Sequence, residues 1–152
     1  IVANADFIGG FGLWVDADGL LRHTYSLLGV ETYKQAASKP LPSGDVKVRM
    51  LFESEKAEPG SGGHVSLFVN DEVVGEGDMP RTVPIAFTSY AGMDIGRDNG
   101  LVVDLDYESQ APYPFTGTVR TVVFDLAPED HDTEKALHAH ALSHTVGRGA
   151  AG

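Results

Sequence analysis

The sequence predicts an all-β domain: a two-layer antiparallel β-sandwich, jelly-roll or concanavalin-like, with a short C-terminal helix. Three observations carry this expectation. The 152 residues include 18 Gly and 8 Pro, which marks many turns rather than long helices. Several runs alternate apolar and polar residues with period two, as strands with one buried face do. These runs are short and are punctuated by Asn/Asp and Gly/Pro clusters, the spacing of a sandwich, although strand pattern alone leaves a closed barrel open. The length suits one domain with a single core.

The elements follow in order. Residues 7–15 are apolar and aromatic with three glycines, and Asp16-Ala17-Asp18-Gly19 is a turn signal before residues 20–27 resume, so the two runs form a hairpin. Residues 30–36 give a third strand, broken by Pro40, Pro42 and Gly44. In residues 46–53 the alternation puts Val46, Val48, Met50 and Phe52 on one face. Residues 54–63 read as a solvated loop. Residues 64–69 and 73–77 flank Asn70-Asp71-Glu72, a second hairpin whose turn residues tolerate left-handed geometry. Residues 79–84 are extended and 85–88 form a short strand. Residues 92–110 read as an acidic loop. Residues 115–126, rich in β-branched and aromatic side chains, are expected to be a central strand kinked at Gly117. After Pro128 the composition turns to Ala, His, Glu and Leu, and Asp130 or Asp132 could cap a helix over residues 133–144. This divides the chain into a sandwich, residues 1–127, and a partly helical tail, 128–152.

The formal net charge of −11 opposes nucleic acid and anionic membrane surfaces, both densely negative. No apolar run nears the ~20 residues of a spanning helix, and no signal peptide opens the chain. A soluble protein is expected, its compartment left open. The first residue is Ile, which suits a processed product or a piece of a longer chain. Cysteine is absent, so disulfides, thiolate nucleophiles and thiolate zinc sites are excluded.

Candidate sites are few. Asp94, Asp98, Asp104 and Asp106, with Asn99, supply the oxygen ligands that calcium takes, yet the same residues fit a solvated loop pinned by Arg97, or a strand with one exposed face. Asp16 and Asp18 lack the further ligands of a calcium-binding hand. On a helical tail His140 and His144 would share a face, as two zinc ligands can, whereas His131 and His138 add no fixed third ligand, and a surface helix explains them equally. Glu72, Glu76 and Asp78 invite comparison with sandwich glycosidases, which need paired carboxyls, but Glu76-Gly77-Asp78 runs into Met79-Pro80-Arg81 and the third acid is missing. Pro59-Gly60-Ser61-Gly62-Gly63 is not a nucleophile elbow. Trp14, Tyr25, Tyr33, Tyr90, Tyr107 and Tyr113 could stack on sugar or fill the core.

Three phrases in the second half belong together: Gly75-Glu76-Gly77 leading to Pro80-Arg81-Thr82-Val83-Pro84, then Asp94-Ile95-Gly96-Arg97-Asp98-Asn99-Gly100, then Pro114-Phe115-Thr116-Gly117-Thr118-Val119. In this order and spacing, with Gly10-Phe11-Gly12-Leu13-Trp14-Val15 and Leu41-Pro42-Ser43-Gly44, residues 9–126 resemble the C-terminal β-sandwich domain of large bacterial arylsulfatases. The resemblance implies a parent enzyme that uses calcium and a formylglycine made from a Cys/Ser-x-Pro-x-Arg motif. This chain has no Cys, and none of its serines begins that motif, so no catalytic residue and no cofactor carries over. The expectation is a non-catalytic accessory domain that packs on and stabilises a sulfatase catalytic domain, with an oligomer contact left open. The alternative is a carbohydrate-binding, lectin-like module. An independent enzyme ranks third, because no catalytic constellation is complete.

Overall fold

The computed structural model describes residues 1–87 and 91–126. The chain falls into two compact units, Ile1–Arg120 and Thr121–Gly152. Among its described residues the regular structure of the first unit is all β apart from one 3₁₀ turn.

Its larger sheet is antiparallel, with five strands in the order β4-β3-β2-β1-β8: β1 is Val2–Asp6, β2 Gly9–Val15, β3 Leu20–Leu27, β4 Glu31–Pro40 and β8 Met93–Ile95. A three-stranded antiparallel sheet holds β5 (Val48–Ser54), β6 (Ser61–Val69) and β7 (Glu72–Arg81) in sequence order. A small pair joins β9 (Arg97–Asp98) to β10 (Tyr113–Pro114), and a 3₁₀ helix, η1, spans Leu105–Gln110.

Both expected hairpins form. The β2–β3 turn is built on Asp16, whose Oδ1 accepts the Asp18 and Leu20 N–H groups while Oδ2 accepts from Arg22 Nε at 2.7 Å. Partial burial works against that carboxylate's charge, but these hydrogen bonds and the guanidinium hold it below the ordinary aspartate range. The β6–β7 turn is the two-residue Asn70-Asp71, both with positive φ, the mirror-image turn that suits twisted strands.

Alternation decides the layers. Phe11, Leu13 and Val15 of β2, with Leu21, Tyr25 and Leu27 of β3, meet Val65, Leu67 and Val69 of β6 and Val74 and Met79 of β7 between the sheets. The expected face of Val46, Val48, Met50 and Phe52 packs against this core as predicted. At one side β4 and β7, the edge strands of the two sheets, run against each other: a Cβ on Gly75 would lie 2.3 Å from the Ala36 carbonyl oxygen, so only glycine permits the approach.

The other face of the large sheet is also covered. Trp14 of β2 packs with Val102 and Tyr107, and Val103 lies over Gly12. The segment read as an acidic loop is therefore more than a loop: it adds β8 to the edge of the large sheet, carries β9 and η1, and forms a lid fastened to that sheet.

Three expectations need correction. Residues 115–126 form no central strand. Apart from the Phe115 N–H bond to Gly96 they are irregular, and Val123, Phe124 and Leu126 are exposed. High β-propensity describes a fit to a pleated surface, and the central places are taken by β2, β3 and β6. Residues 85–87 form no strand either: Phe87 packs on Phe11 and Tyr25 while Ile85 points to solvent. The loop at 54–63 ends early, because β6 begins at Ser61. The helix described, η1, is a 3₁₀ turn in the lid; the C-terminal helix expected over residues 133–144 lies outside the described residues.

Candidate functional site

The four aspartates singled out as calcium ligands sit in the lid, and each is engaged within the chain. Asp104 is 1% exposed and caps η1: its Oδ1 accepts the Asp106 N–H at 2.9 Å and Lys34 Nζ at 2.7 Å, and its Oδ2 accepts the Thr24 hydroxyl at 2.6 Å. The same hydroxyl accepts Trp14 Nε1–H at 3.0 Å. Asp98, 5% exposed, accepts Val103 N–H at 2.8 Å and the Tyr107 hydroxyl at 2.6 Å. Asp94 accepts the Asn99 N–H, and Asp106 accepts Lys34 Nζ at 2.7 Å.

The expected solvated loop is thus overturned for Asp98 and Asp104, which are buried as hydrogen-bonded fasteners. Lys34 of β4, not singled out in the sequence, is the cation that bridges Asp104 and Asp106. Burial alone would lower its pKa, but the two carboxylates outweigh burial and raise it. A calcium ion takes six to eight oxygens, whereas here an ammonium stands between two of the carboxylates and the others bond backbone and tyrosine. Burial and the adjoining Asp98 push the Tyr107 phenol far above its ordinary range, so it stays a donor.

The aromatic candidates divide between two interiors. Tyr25 and Tyr33 stack between the sheets, and the Tyr25 hydroxyl accepts the Val83 N–H at 2.7 Å. Trp14 meets Tyr107 and Tyr113 edge-on, and those two rings stack with centroids 4.4 Å apart. Trp14 and Tyr107 are buried, so their ring faces serve packing. Tyr113 donates to the Val15 carbonyl and borders a recess of about 350 Å³ lined also by Asp16, Gln110 and Phe115. Tyr90 lies outside the described residues.

On the outer face of the small sheet, His64 of β6 stands opposite Asp78 of β7. Its Nδ1 is 2.6 Å from Asp78 Oδ1 and its Nε2 is 3.6 Å from Glu76 Oε1. The bond to Asp78 is the main cause of a raised imidazole pKa. Glu72 is apart from this group, paired with Lys39 at 2.8 Å. The three acids compared with a glycosidase set therefore do not converge. Sequence order hides this cluster, since only the β6–β7 register brings His64 to the Glu76-Gly77-Asp78 run.

Among the described residues no group of three or more His, Asp or Glu is placed to hold a metal ion. His140 and His144, the zinc candidates, lie outside the described residues. No described helix is long and apolar enough to cross a membrane. Compared with protein-family models, with curated proteins and with solved structures, the chain matches none.

Proposed function

We propose that this chain is a non-catalytic accessory domain of an arylsulfatase, a β-sandwich that packs on the catalytic sulfatase domain and stabilises it. The observation that carries the reading is the spatial convergence of the family-like phrases. The Asp94–Gly100 phrase and the Pro114–Val119 phrase are 13 residues apart in sequence, yet they join through the β9–β10 pair and the Phe115 N–H bond to the Gly96 carbonyl at 2.9 Å. Asp98, inside the second phrase, ties down Val103 and Tyr107. The first phrase also builds fold: Thr82 donates to the Ser61 carbonyl, and Val83 donates to Tyr25. Residues held together in this way specify a scaffold, and these polar groups bond one another rather than a substrate, which suits an accessory domain. Parent-enzyme calcium and formylglycine chemistry would lie in the partner domain.

The test is to titrate the full chain into the catalytic domain of a large bacterial arylsulfatase prepared without its own C-terminal domain. Saturable association that raises the melting temperature of the catalytic domain is expected, since a partner that binds only the folded state stabilises it by mass action. Failure to associate, together with saturable binding to a glycan panel, would replace this reading with the carbohydrate-binding one.

A further inference from the structure

Among the described residues, the space between the sheets is mainly apolar, but it holds one buried polar pair besides the tyrosines. His23 of β3 and Gln35 of β4 oppose each other in the ladder, and His23 Nδ1 lies 2.7 Å from Gln35 Oε1. An amide oxygen only accepts, so the ring proton sits on Nδ1 and Nε2 is a bare lone pair. His23 is 1% exposed, and Nε2 meets no hydrogen-bond partner.

No carboxylate of the described residues bonds the ring: the ion pairs that link β4 to β7, Glu31 with Arg81 and Lys39 with Glu72, lie toward solvent. Tyr25 of β3 and Tyr33 of β4 are titratable side chains of this interior, and the α-amine of Ile1, which packs on the same core, has its pKa lowered by burial to about 6, while β2 presents Leu13, β6 Val65 and β7 Met79. Glu76 and Asp78 of β7 face outward to His64. The pair also stands at the seam of the sandwich: a Cβ on Gly77 of β7 would come within 3.0 Å of Gln35 Cγ, beside the Ala36–Gly75 approach.

We propose that His23 is an acid-operated latch, in which uptake of a solvent proton at Nε2 opens the β4–β7 seam between the two sheets. The protonated ring keeps its bond to Gln35 but acquires a second donor without acceptor and a charge without counterion, so the closed state takes the proton poorly and the opened state takes it readily. Burial holds the closed imidazole below the ordinary histidine range, and the bond to Gln35 offsets only part of that. The sign follows: a depressed pKa contributes closure in full above the ordinary value of about 6.5 and loses it as pH falls toward the depressed value. Where opening takes up one proton, the opening equilibrium shifts about tenfold per pH unit.

The experiment uses the full chain between pH 7.5 and 5, above the carboxylate range. Imidazole NMR is read beside amide hydrogen exchange corrected for its intrinsic pH dependence, and His64→Gln removes the other described histidine. His23 is expected to stay neutral well below pH 6.5 while protection in β3, β4 and β7 falls by up to tenfold per unit. In the double variant His23→Leu with Gln35→Leu, which removes both polar partners at once, that slope is expected to fall to the part left by the buried α-amine of Ile1, whose pKa is lowered to about 6. An unchanged slope in the double variant would overturn the proposal. If the variant does not fold, the parent chain decides: a His23 ring titrating at 6.5 or above, or protection independent of pH, would overturn it equally.

Discussion

The Thr24 hydroxyl donates to Asp104 at 2.6 Å across 80 residues of sequence, and the same oxygen accepts Trp14 Nε1–H. One hydroxyl thereby joins the central strands of the large sheet to the lid. Thr24→Val keeps the shape and removes both bonds, leaving the indole N–H and a carboxylate oxygen buried without partners. Such groups cost about 1–3 kcal/mol each, so a loss of about 2–4 kcal/mol is expected in urea unfolding with an unchanged m-value. Trp14 fluorescence reports the transition, and a loss under 1 kcal/mol would mean that the lid is not fastened at this point.

The Gly75–Ala36 approach gives a second prediction. Gly75→Ala drives a methyl to 2.3 Å from a backbone carbonyl that cannot swing aside, whereas Gly77→Ala comes within 3.0 Å of the Gln35 side chain, which needs to give by only a few tenths of an ångström. Overpacking costs about 1–3 kcal/mol, and Gly75→Ala is expected at or beyond the top of that range with Gly77→Ala near the bottom. Thermal denaturation of the two variants orders them, and the reverse order would contradict the seam.

The same two places show what the sequence could and could not reveal. Period two made β5 legible, because it has one wet face, and turn chemistry made both hairpins legible, Asp16 to Gly19 in the first and Asn70-Asp71 in the second. β1 escaped notice because it is buried on both faces and shows no alternation, reading only Val-Ala-Asn-Ala-Asp. The lid escaped because Asp98 and Asp104 look like solvent-facing acids until Thr24, Lys34 and Tyr107 arrive from elsewhere to satisfy them. Residues 115–126 misled for the opposite reason: propensity states what a segment could pair as, and pairing also needs a free neighbour.

Leu28 adopts a φ of +53°, and its side chain is more than half exposed at the β3–β4 turn. A branched residue in left-handed geometry costs about 1–2 kcal/mol, with little burial to offset it. Leu28→Asn is therefore expected to stabilise the chain by about 1 kcal/mol, seen as a higher urea midpoint. A lower midpoint would show that the leucine side chain itself holds the turn.

His64 sits between Asp78 and Glu76 on the open face of the small sheet, and its raised pKa carries the opposite sign from that of His23. A group whose folded pKa is raised contributes stability that is fully present below the unfolded value of about 6.5 and is lost as pH rises through the folded value. The hydrogen bond to Asp78 is the first cause, so Asp78→Asn is expected to lower the His64 pKa more than Glu76→Gln does. Imidazole NMR titration of the parent and both variants measures this directly. Solvent surrounds the cluster, so 0.5 M salt should shrink the part of the shift that is charge attraction and spare more of the part that is a short hydrogen bond. A shift unchanged in Asp78→Asn would show that the β6–β7 register does not hold His64 against Asp78 in solution.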